Sequence, residues 1–75
     1  MRPDDVRQLL WQQPFEPFRI VMLDGTTYDI RDPDLVLLER SVLKLGFPAS
    51  KVSLPLTHRE VVVALLHITR LEPIA

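Results

Sequence analysis

Phe18-Arg19-Ile20-Val21-Met22-Leu23-Asp24-Gly25-Thr26-Thr27-Tyr28-Asp29-Ile30 decides the fold of this 75-residue chain. Asp-Gly between two β-favouring runs is a strong hairpin signal, and the loop length sets which side chains face the core. A two-residue loop would put Ile20 opposite Asp29 and Arg19 opposite Ile30, mixing charges with core residues on each face. A three-residue loop of Leu23, Asp24 and Gly25, with Gly25 in a positive-φ bulge position, pairs Met22 with Thr26, Ile20 with Tyr28 and Phe18 with Ile30. That register makes one face nearly all apolar. The other carries Arg19 opposite Asp29 and Val21 opposite Thr27, and opposed unlike charges contribute roughly 0.2–1 kcal/mol. Since a one-residue slip would turn every side chain to the wrong face, the three-residue loop is the expectation.

Upstream, Pro14-Phe15-Glu16-Pro17 is a stiff connector, its prolines fixing φ and holding their preceding residues extended. Phe15 and Phe18 are expected to insert into the core from it. Residues 3–13 predict a short helix: Pro3 suits the first turn, Asp4 and Asp5 suit the positive end of the dipole, and Val6, Leu9 and Leu10 follow helical spacing. Ten or so residues do not hold a helix in water alone, so this one must lie on the domain as a lid.

Downstream, Arg31-Asp32-Pro33-Asp34 is a turn by composition. Leu35 to Glu39 and Val42 to Leu45 predict a third and a fourth strand across a tight Arg40-Ser41 corner, completing strands one to four over residues 18–45. Residues 46–59 predict a long loop, rich in glycine, proline and serine through Thr57. Within it Val52, Leu54 and Leu56 alternate with Ser53 and Pro55 in the pattern of an edge strand. Residues 60–72 predict the C-terminal strands. Glu60 to Leu66, with three consecutive valines, favours a strand; His67-Ile68-Thr69 makes a bend and Arg70-Leu71-Glu72 the last strand, stopped by Pro73.

The sum is a single domain over 1–75, mainly β, with an N-terminal helix followed by a small, strongly bent antiparallel barrel of five or six strands. An α+β arrangement with a second helix near 60–67 is the alternative, since periodicity alone does not separate a short buried helix from a buried strand. With nine Lys+Arg against ten Asp+Glu, the net charge of −1 provides no global basic field toward nucleic acid or anionic membrane. No apolar run reaches the roughly 18–20 residues a membrane span needs, the N-terminus has acids where a signal peptide has basic residues, and there is no cysteine. A soluble cytoplasmic protein is expected.

Pro14-Phe15-Glu16-Pro17-Phe18, Asp24-Gly25-Thr26-Thr27-Tyr28, Pro33-Asp34 and His67-Ile68-Thr69-Arg70-Leu71-Glu72 together resemble a group of short bacterial proteins of unknown function. That resemblance spans nearly the whole chain and implies no activity. The order helix, strand, Asp-Gly turn, bent strands, short turn and terminal strand also resembles the Sm-like fold, the small barrel of ring-forming RNA-binding proteins. Asp24-Gly25 matches the turn after that family's first strand, and Leu66-His67-Ile68 the turn into its last. Its RNA-reading loop would fall near Asp34-Leu35-Val36-Leu37, where the family's aromatic and asparagine are absent, as is its Arg-Gly pair. The resemblance therefore implies ring formation more than RNA binding.

Catalytic groupings are scarce. His58 and His67 lack metal-site spacing, and no cysteine assists them. Asp29, Asp32 and Asp34 do not supply the six or more oxygens calcium prefers and are read as solvated turn carboxylates. Ser41, Ser50 and Ser53 have no nucleophile-elbow context. The expectation is a non-enzyme without metal or other cofactor. Excess apolar surface points instead to a partner: Val61, Val62, Val63, Leu65 and Leu66 offer side chains to both faces of their strand, and pairing between identical subunits would cover the outward set. The leading expectation is a self-associating interaction module, Sm-like or SH3-like, that also contacts another protein. A second is an RNA-binding ring using Arg40, Lys44, Lys51, His67 and Arg70; a third is a small regulatory or toxin-antitoxin type component acting through the same surface.

Overall fold

The computed structural model describes residues 1–48 and 58–74. Among these residues the chain is mainly β, with one α-helix, α1 (Pro3–Leu10), and six strands: β1 (Phe18–Met22), β2 (Thr27–Ile30), β3 (Val36–Leu38), β4 (Val42–Pro48), β5 (His58–Ala64) and β6 (Ile68–Pro73). Among the described residues the strands form two three-stranded antiparallel sheets, ordered β2-β1-β6 and β3-β4-β5. Among the described residues these sheets are not joined into the closed barrel that the sequence predicts.

The hairpin has the register its alternation dictates. Phe18 faces Ile30, Arg19 faces Asp29, Ile20 faces Tyr28 and Val21 faces Thr27. Met22 donates its N–H to the Thr26 carbonyl, and Gly25 takes φ +89°, so Leu23, Asp24 and Gly25 form the three-residue loop. The Asp24 carboxylate accepts the Thr26 N–H at 2.9 Å, which preorganises the turn. On the other side of β1, Val21 faces Arg70 and Met22 faces Ile68, leaving Thr69 as one extra residue that bends β6.

Helix α1 begins as expected, with the Asp5 carboxylate accepting the Arg2 N–H at 3.2 Å, but it ends at Leu10 rather than at residue 13. Pro14 disfavours helical geometry at Gln13, and the chain leaves the helix at Trp11. Pro33–Leu35 is a 3-10 turn, its entry capped by Asp32, whose Oδ1 accepts the Asp34 N–H at 2.9 Å. It consumes Leu35, so the third strand is shorter than Leu35 to Glu39. The Arg40-Ser41 corner forms as a tight turn in which Glu39 donates to the Val42 carbonyl at 2.9 Å.

Two boundaries differ further from the sequence pattern. The loop expected from residue 46 does not begin there: Gly46, Phe47 and Pro48 continue β4 opposite Glu60, Arg59 and His58 of β5. Cross-strand pairing overrides the turn-like composition. The expected edge strand around Val52 to Leu56, with Ser50, Lys51 and Ser53, lies outside the described residues. At the other end of β5 the strand stops at Ala64, and Leu65–His67 is a 3-10 turn held by the Leu65 N–H on the Ser41 carbonyl at 2.9 Å. The alternative of a second helix over 60–67 is thereby overturned.

One apolar cluster fills the interior: Val6 from α1, Phe18, Ile20, Ile30 and Ile68 from the first sheet, Leu43, Leu45 and Val63 from the second, and Leu65 from the 3-10 turn. Phe15 packs against it at the margin, edge-to-face with Phe18 at 6.1 Å. Among the described residues no polar or charged side chain is buried, so hydrophobic burial, at roughly 25 cal/mol per Å² of apolar surface, holds the two sheets and the helix together.

Candidate functional site

β5, like β3, is an edge strand of its sheet among the described residues, pairing only with β4. Its alternation splits the five residues expected at an oligomer interface. Val63 and Leu65 lie in the core, Val61 is half-buried against it, and Val62 and Leu66 are exposed, at 55% and 81%. Across the outer face of this sheet Val62 neighbours Lys44, which neighbours the exposed Leu37. Of the interface set, therefore, Val62 and Leu66 are the exposed side chains, beside a strand edge that has no sheet neighbour among the described residues.

The expected basic contacts among the described residues come from separate elements. Arg40 is exposed at the β3–β4 corner. Lys44 lies on β4 with its Nζ 3.0 Å from the Glu39 carboxylate, and that hydrogen bond with its charge raises the lysine above its ordinary pKa. Arg70 on β6 meets Glu72 at 2.7 Å. His67 is exposed in the 3-10 turn, near the Asp24 carboxylate. Lys51 lies outside the described residues. Two of the five cations already have carboxylate partners, which lowers what a phosphate would gain there.

The outer face of the first sheet carries a line of alternating charge. Arg19 Nε is 2.7 Å from Asp29 Oδ1 and its NH2 group 3.3 Å from Oδ2, a two-point pair across β1 and β2. Arg31 approaches the same carboxylate at 3.6 Å, and Glu72 of β6 lies opposite Arg19. The Arg19 hydrogen bonds, then its charge, hold Asp29 below the usual carboxylate range, and Arg19 is raised in turn. Asp24 is lowered as well, chiefly by the Thr26 N–H.

Grooves among the described residues flank the strands, and two of them border the hairpin. The larger, about 610 Å³, runs where β2 turns away from β3 and β4, with Tyr28, Ile30, Leu35, Val36 and Phe47 as apolar lining and Arg19, Asp29, Arg31 and Asp32 at the rim. Tyr28 and Phe47 stack at 6.2 Å with a 31° tilt. The sequence pattern missed Phe47 as a lining residue because it sits beside glycine and proline, which read as loop; its signal was the period-two spacing from Leu43 and Leu45. The smaller groove, about 390 Å³, lies between the hairpin and the end of β5, bounded by Leu23, Asp24, Val62, Ala64 and His67.

Two of the three turn carboxylates have local work. Asp29 belongs to Arg19 and Asp32 caps the 3-10 turn, while Asp34 donates its N–H to that cap. Among the described residues no three His, Cys, Asp or Glu side chains are placed to hold a metal ion, and no helix is long and apolar enough to cross a membrane. The chain matches no protein-family model, no curated protein and no solved structure.

Proposed function

We propose that the chain is a non-enzymatic interaction module, a small barrel-like domain of the Sm-like or SH3-like kind, that joins other copies of itself through β5. The observation that carries this reading is the exposed Val62, at 55%, on a strand whose outer edge has no sheet neighbour among the described residues. An open edge offers a row of backbone donors and acceptors, and association would satisfy them while covering the apolar side chain. At about 25 cal/mol per Å², burying a few hundred Å² contributes several kcal/mol, comparable with the whole stability of a small domain.

Sedimentation across a wide concentration range tests the reading. The native chain is expected to show concentration-dependent mass above the monomer, and Val62→Lys with Leu66→Lys to shift it toward monomer while leaving the circular dichroism spectrum unchanged. A native chain that stays monomeric at high micromolar concentration overturns the proposal. Single-stranded RNA binding that weakens steeply with salt would favour an RNA-binding ring instead; the carboxylates on Lys44 and Arg70 argue against it.

A further inference from the structure

We draw no further inference here: the strongest candidate, the apolar groove between β2 and β4 beneath Tyr28 and Phe47, has rim charges that balance, Arg19 and Arg31 against Asp29 and Asp32, and nothing in the structure shows what covers it.

Discussion

Met22 and Thr26 close the hairpin face to face, with the Met22 N–H 2.8 Å from the Thr26 carbonyl. That bond leaves three residues to turn the chain, and the last of them, Gly25, sits at φ +89° with open space where a Cβ would be. Substitution there tests backbone conformation without a steric clash. Gly25→Val should cost about 1–3 kcal/mol, the usual strain of a side chain forced into this region. The midpoint of thermal unfolding should fall by roughly 4–8 °C per kcal/mol for a domain of this size. Gly25→Asn, which tolerates a left-handed conformation better, should lose less; equal losses for the two would mean that φ does not set the cost.

Asp29 makes stability sensitive to acid in a defined direction. Its carboxylate is held below the ordinary range by Arg19, so the folded state binds its proton less readily than the unfolded chain. The stabilisation is therefore present above the unfolded value, about pH 3.9, and is lost as pH falls through the lower folded value. Asp29→Asn should melt below the native chain at neutral pH, with the gap closing in acid. Because the pair is partly exposed, added salt should narrow the gap too. Thermal melts at several pH values check this, and a gap independent of pH would remove Asp29 from the account.

Much of this was legible in the sequence wherever local chemistry and alternation agreed. Asp24-Gly25 with its flanking runs determined the hairpin register residue by residue, and Pro3 with Asp4 and Asp5 marked the start of α1. Where a long-range partner decides the outcome, local signals misled. Gly46-Phe47-Pro48 looks like loop, yet pairing with Glu60, Arg59 and His58 keeps it in β4. Val21 falls on the outward face of its sheet but is buried, at 8%, because β1 is the central strand and Thr27 and Arg70 flank it. The apolar stretch Val61 to Leu66 is legible in the sequence, but its side-chain directions are not: the pattern predicts Leu65 and Leu66 in a strand, and the 3-10 turn sends one into the core and the other to solvent.

Trp11, the only tryptophan, stands 71% exposed beyond the end of α1, with the Arg7 guanidinium 5.7 Å from its ring. An exposed cation–π contact is worth about 0.5–1 kcal/mol. Trp11→Phe keeps an aromatic face for Arg7 and should change stability by no more than about 0.5 kcal/mol. Native fluorescence should already resemble that of a hydrated indole and shift little on unfolding, while circular dichroism reports the full transition. A strongly blue-shifted native spectrum would show that something covers this ring.

Val62 and Val63 are adjacent in sequence and opposite in consequence. Val63 is 5% exposed, facing Leu43 across β4 and β5 inside the core, whereas Val62 is 55% exposed on the outer face beside Lys44. Fully burying a valine side chain contributes about 1.5–3 kcal/mol, and removing most of it leaves a cavity as well. Val63→Ala should therefore lower the urea midpoint substantially at every protein concentration. Val62→Ala has no core contact to lose and should stay within about 0.5 kcal/mol of the native chain when dilute. At high concentration, where partner binding adds to apparent stability, the native chain should gain and Val62→Ala should gain less. Parallel concentration dependence in both would remove Val62 from the interface while leaving the place of Val63 in the core intact.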